Sequence, residues 1–202
     1  MSKVVYIIPG FGYSPRHKEY VKLAEAFKEN GFKPKVIKIN WYRRTMEDYL
    51  VQFMEQYKNS PKEEVTLLGF SLGANITLLA NEKAKPKNII FCSLSPYFKE
   101  DKAKIKDTKY AWYLKPYIIL LEFLVSPAIR TMKHYSFKEL SSKINCRVFI
   151  FAGKNEMLNL LNRAKEAHKK VPNSKLVLVE NTGHDIGNKE YLKALKAIIS
   201  KL

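Results

Sequence analysis

Val65-Thr66-Leu67-Leu68-Gly69-Phe70-Ser71-Leu72-Gly73-Ala74-Asn75 changes character halfway along its length. Its first four residues are a short β-branched and aliphatic run of the kind that forms a buried strand, and the residues after Ser71 continue as a helix. Between them stands Gly-x-Ser-x-Gly, so a strand hands over to a helix across a tight turn for which two glycines make room. The rest of the chain repeats this alternation. On the N-terminal side, Val4-Val5-Tyr6-Ile7-Ile8 reads as a strand, residues 18–29 as an amphipathic helix, Val36-Ile37-Lys38-Ile39 as a second strand and residues 45–57 as a second helix. Asn30-Gly31 ends the first helix with a residue that tolerates positive φ, and Ser60-Pro61 stops the second because proline cannot continue it.

On the C-terminal side, Ile89-Ile90-Phe91-Cys92 is the fourth strand, Val148-Phe149-Ile150-Phe151 the fifth and Leu176-Val177-Leu178-Val179 the sixth. Helices are expected at residues 158–170 and 189–201. Strands alternating with helices predict an α/β fold with about six parallel strands and helices on both faces of the sheet, a three-layer sandwich. Residues 95–142 are too long for an ordinary connection and carry Tyr97, Phe98, Trp112, Tyr113, Tyr117, Phe123 and Leu124. They are expected to form a helical insertion after the fourth strand, over one end of the sheet.

The 202 residues suit one domain spanning 1–202. A composition 46% hydrophobic and 27% charged excludes disordered and collagen-like architectures. The longest apolar stretch, from Tyr117 to Val125, is broken by Glu122 and falls short of the roughly 20 residues that cross a bilayer, so no transmembrane segment is expected. Only six apolar residues separate Met1-Ser2-Lys3 from Gly10, too few for a signal-peptide core, and a cytoplasmic location follows as an expectation. Cys92 and Cys146 lack metal-like spacing and sit in apolar runs, which predicts two reduced, buried thiols. Thirty-six Lys and Arg against 19 Asp and Glu give +17. The lysines are scattered without a dense block, which fits a solvated surface better than specific nucleic-acid binding.

A serine on a strand-to-helix turn has its Oγ pushed out of the sheet, with a helix N-terminus close by that favours developing negative charge. Ser71 is therefore the candidate nucleophile, the alternative being a serine that merely caps the helix. A hydroxyl needs an adjacent base, and the four histidines are His17, His134, His168 and His184. His184 lies in the loop after the last strand, at the same sheet edge as Ser71. His17 opens the first helix, His134 belongs to the insertion and His168 lies in a Lys-rich helix. The base in turn needs an acid to fix its tautomer, and Glu156 follows the fifth strand at that edge. Asp185 is a weaker candidate because neighbours in a loop point apart, as are Asp101 and Asp107 in the insertion. Backbone N–H groups of Phe11, in Pro9-Gly10-Phe11-Gly12 after the first strand, and of Leu72, after the nucleophile, are placed to bind an oxyanion.

With these positions in place, the chain resembles the α/β-hydrolase superfamily over almost its full length. The oxyanion loop, nucleophile, acid and histidine follow successive strands in the family's order, Phe11, Ser71, Glu156, His184. Larger members' leading antiparallel strands are absent, so the chain resembles a minimal member. The resemblance implies a Ser71-His184-Glu156 triad, an oxyanion hole of Phe11 and Leu72, and neither metal nor organic cofactor. Serine at the elbow separates it from the dehalogenase and epoxide-hydrolase branches, which use Asp there. The implied activity is hydrolysis of a small-molecule carboxylic ester or thioester through an acyl-enzyme, with the insertion forming an apolar acyl pocket. An acyltransferase on the same triad, or a silent binding protein using its basic surface, are the alternatives. The chain departs from the family in having Pro9-Gly10 where many members have His-Gly, and Glu156 where Asp is commoner.

Overall fold

In the computed structural model, which describes residues 2–58, 63–101 and 127–202, six strands join one parallel sheet. They are β1 (Ser2–Ile8), β2 (Phe32–Val36), β3 (Glu63–Phe70), β4 (Asn88–Cys92), β5 (Arg147–Gly153) and β6 (Ser174–Val179), in the order β2-β1-β3-β4-β5-β6. The chain thus winds from β1 to one side and returns to place β3 on the other. Ligands of open α/β sheets bind where winding reverses in this way, outside the C-terminal ends of the two strands.

Helices cover both faces. α1 (Lys18–Glu29) places Tyr20, Leu23, Ala26 and Phe27 against one face. Beside it, α6 (Lys189–Ile199) adds Tyr191, Leu195, Ile198 and Ile199. The opposite face carries α2 (Met46–Gln56), α3 (Leu72–Ala84), α4 (Phe137–Ser142) and α5 (Leu158–Lys170). Most residues of α3 are buried, including Asn75, Thr77 and Asn81, whose side chains donate to Ser95 O, Gly73 O and Lys143 O. Thr45 caps α2 in a reciprocal box with Asp48, which satisfies donors at the helix start.

The second strand departs from the sequence reading. It spans Phe32–Val36 rather than residues 36–39, and pairs Lys3 with Phe32 through Ile7 with Val36. Beyond Ile37, whose N–H reaches Ile7 O, β1 offers no further partner. The Gln56 side chain takes over both backbone groups of Lys38, and the Gln52 carboxamide accepts from Asn40 N. Ile37 and Ile39 are still buried, which is why the stretch imitates a strand. Pro34 is tolerated because β2 is an edge strand, and the exposed Lys33 and Lys35 discourage further pairing there.

Cys92 is buried as expected, but Cys146 is only half-buried, because it precedes β5 instead of lying within it. Of the insertion, residues 95–101 and 127–142 are described, and residues 127–132 are helical. Trp112, Tyr113, Tyr117, Phe123 and Leu124, the apolar stretch 117–125, Asp107 and the Ser60-Pro61 stop lie outside the described residues; α2 already ends at Gln56. No described helix is long and apolar enough to cross a membrane.

A buried ion pair holds the root of the insertion. Arg163 of α5 bonds Asp101, and both side chains are nearly inaccessible. The guanidinium lies 4.5 Å from the Phe137 ring centroid and 5.1 Å from that of Phe98. The second carboxylate oxygen of Asp101 accepts from Phe98 N at 3.0 Å. Close by, Glu100 accepts from Ser136 Oγ at 2.5 Å and from Phe137 N at 3.0 Å. Partial burial pushes the Glu100 carboxyl up, but the bonds it accepts outweigh this and hold it down at about 2.

Two outcomes follow. Asp101 is the buried partner of Arg163, whose other carboxylate contact is Glu166 Oε2 at 3.4 Å on its own helix, so Asp101→Ala should cost about 3–5 kcal/mol in urea unfolding, and the apolar pair Asp101→Leu/Arg163→Met clearly less. For Glu100 the folded value lies below the ordinary 4.5. The stability lost in Glu100→Gln should therefore be full above pH 4.5 and vanish as the pH falls toward 2, as read from urea midpoints across that range.

Candidate active site

β3 ends at Phe70 and α3 begins at Leu72, leaving Ser71 alone between them at φ 55° and ψ −121°. Such a backbone is strained for a residue with a Cβ, by roughly 1–3 kcal/mol, and persists only where its surroundings hold it. Ser71 N donates to Cys92 O of the neighbouring strand at 2.9 Å. The glycines of the motif are required by close approach. A Cβ at Gly69 would overlap Gly73 O and the Thr77 hydroxyl, and one at Gly73 would overlap the carbonyls of Ile8 and Pro9. The Ser71 side chain makes no capping bond to α3. Its Oγ lies instead 3.1 Å from His184 Nε2.

His184 reaches this position because the loops after β5 and β6 are fastened together. Lys154 N donates to Val179 O and Asn155 N to Thr182 O, both at 2.9 Å. The imidazole also rests on Phe70, with ring centroids 4.8 Å apart. On its far side, Nδ1 is 4.0 Å from Glu156 Oε2. That is an ion-pair separation, longer than a hydrogen bond. The Glu156 side chain is fully buried, whereas that of His184 is 36% exposed. The alternative acid is otherwise engaged: Asp185 Oδ1 accepts from Gly187 N at 2.8 Å and closes its own turn.

The loop after β1 is supported by Tyr20, whose buried hydroxyl accepts from Gly10 N at 2.9 Å. This tyrosine props a loop that begins Pro9-Gly10. Tyr13 N returns to Gly10 O at 3.1 Å, and the Phe11 ring packs on Trp41. Phe11 N has no acceptor among the described residues. Leu72 N is the first of α3, one of the four N–H groups that a helix cannot satisfy internally.

The other histidines are elsewhere. His17 is exposed and bonded to Ser14, His168 is exposed and bonded to Ser174, and His134 is exposed in a turn of the insertion. Among the described residues no cluster of three or more His, Cys, Asp or Glu could hold a metal ion. Sequence reasoning missed Ser95, whose Oγ is 3.3 Å from Ser71 Oγ and whose N–H is held by Asn75. It also missed Ser93, which donates to Glu156, and Tyr191 behind it. Both serines follow β4, and only the strand order reveals that β4 adjoins β3.

A hydroxyl within reach of an imidazole, the imidazole facing a buried carboxylate, and unpaired N–H groups nearby can together support nucleophilic acyl transfer. No protein-family model matches the chain, and a sequence search of curated proteins finds no match. Solved structures do resemble it. MGS-MChE2, an α/β-hydrolase enzyme from a metagenome of Mar Chica lagoon sediments, is 16% identical, with a TM-score of 0.75 over 100% of this chain and 90% of that one. Est1E from Butyrivibrio proteoclasticus, solved with ferulic acid bound, is 16% identical, with a TM-score of 0.74 over 98% and 87%. The esterase EaEST from Exiguobacterium antarcticum is 14% identical, with a TM-score of 0.70 over 98% and 91%. Six parallel strands in this order, their flanking helices and these likenesses identify the chain as having the α/β-hydrolase fold.

Proposed function

We propose that the chain is a serine hydrolase that cleaves small-molecule carboxylic esters or thioesters. The observation that carries this reading is the 3.1 Å approach of His184 Nε2 to the hydroxyl of Ser71 on its strained turn. Ser71 Oγ attacks the acyl carbon while His184 takes its proton, and the carbonyl electron pair moves onto oxygen. The N–H groups of Phe11 and Leu72 receive that oxyanion, each donor being worth about 3–4 kcal/mol in such sites. Collapse expels the alcohol or thiol with the proton that His184 returns, leaving an acyl-Ser71 ester. Water, deprotonated by His184, then releases the acid and restores Ser71. The Glu156 carboxylate stabilises the imidazolium, as the acid of such a triad does. The esterase among the similar structures supports an ester substrate.

Hydrolysis of p-nitrophenyl esters of increasing chain length tests this. Ser71→Ala and His184→Ala should each lower kcat by roughly 10⁴-fold or more, with thermal unfolding little changed. Raising salt across about 50–500 mM should change kcat/KM less than about two-fold, because the substrate is neutral. Folded wild type no faster than Ser71→Ala would overturn the proposal.

A further inference from the structure

Ser93 follows β4 directly, is fully buried and has φ 53°. Its N–H donates to Phe151 O at 2.8 Å, which fixes the residue to the end of β5. Its hydroxyl donates to Glu156 Oε1, and Gly153 N donates to the same oxygen at 3.1 Å. A serine has one hydroxyl proton, and an ionised carboxylate only accepts. The Tyr191 hydroxyl, 3.1 Å from Ser93 Oγ, therefore donates to Ser93. Tyr191 is entirely buried, and burial pushes its phenol well above the ordinary range, so it keeps that proton.

The two oxygens of Glu156 thus have opposite surroundings. Oε1 has two donors, whereas Oε2 is buried with no hydrogen-bond partner and faces His184 Nδ1 at 4.0 Å. We propose that Ser93, backed by Tyr191, is a positioning residue that pins Oε1 so that Oε2 is reserved for the imidazolium of His184. This rests on the reading of Glu156 as the orienting acid. His184 sits on a partly exposed loop and closes the remaining gap as Nε2 takes the Ser71 proton; the carboxylate waits in place. Pinning matters for glutamate because its extra methylene adds a torsion that aspartate lacks. Glycine would hold φ 53° with less strain than serine. What the serine adds at this position is its hydroxyl.

The test measures p-nitrophenyl acetate hydrolysis and thermal unfolding for Ser93→Gly, Ser93→Ala and Tyr191→Phe, each in wild-type and Glu156→Gln backgrounds. Ser93→Gly and Ser93→Ala should lower kcat about 10- to 100-fold with KM within about two-fold, the loss expected from misplacing a catalytic group by about 1 Å. Tyr191→Phe should cost less, and combining it with Ser93→Gly should add nothing, because both act through one carboxylate oxygen. In the Glu156→Gln background the Ser93 variants should have no further effect. Unchanged kcat in folded Ser93 variants, or an equal loss in the Glu156→Gln background, would overturn the proposal while leaving the hydrolase reading intact. An inactive, folded wild type would overturn the hydrolase reading itself, and this one with it.

Discussion

A serine backbone at φ 55° and ψ −121°, wedged between the end of β3 and the start of α3, costs free energy that its neighbours must supply. They do so by close contact. α3 lies so near the sheet that Gly73 faces the carbonyls of Ile8 and Pro9 and Gly69 faces the backbone of Gly73, with no space for a Cβ at either glycine. The same contact brings the end of β1 against the start of α3, and Gly10 against Phe70, the residue before Ser71. Because β1 and β3 are adjacent and the winding reverses between them, one packing constraint places the Ser71 turn and the Pro9-Gly10 loop at the same edge of the sheet.

Glu156 and His184 depend on a second set of contacts, between the ends of β4, β5 and β6. Backbone bonds from Lys154 and Asn155 tie the loop bearing Glu156 to the loop bearing His184. Two residues beyond Glu156, α5 begins at Leu158, and its Arg163 is locked to Asp101 beyond the end of β4. The buried ion pair thus braces the helix that follows Glu156 against the segment that carries Ser93 and Ser95. Buried charge is concentrated here, in Glu156, Asp101 and Arg163, and Arg163 also faces Glu166 of its own helix at 3.4 Å. His184, 36% exposed, is the solvent-facing member of this group, whereas the Glu156 side chain is fully buried.

Much of this was legible in the chain, and the limits have physical causes. The Gly-x-Ser-x-Gly juncture, the alternation of elements, and the positions of Glu156 and His184 after strands depend on local patterning, which sequence carries directly. β2 was misplaced because Ile37 and Ile39 are buried by α2 without a partner strand, and burial imitates strand periodicity. Cys146 reads as buried because it adjoins the apolar run of β5, and that run does not reveal where pairing with β4 begins. Ser93, Ser95 and Tyr191 were missed because their roles come from strand order and from α6 packing on the sheet. Nothing within a few residues of any of them signals that proximity. Tyr20 was hidden for the same reason: a core aromatic of an amphipathic helix, it supports the Pro9-Gly10 loop only through tertiary contact.

The proposed hydrolysis depends on activation of the Ser71 hydroxyl by His184 and Glu156. Its most direct test is reaction of the purified protein with a fluorophosphonate, which phosphonylates an activated serine and needs no knowledge of the natural substrate. Wild type should form a single adduct by intact mass, mapped to Ser71 and absent from Ser71→Ala and His184→Ala. A folded wild type left unlabelled, or labelled at another residue, would contradict it.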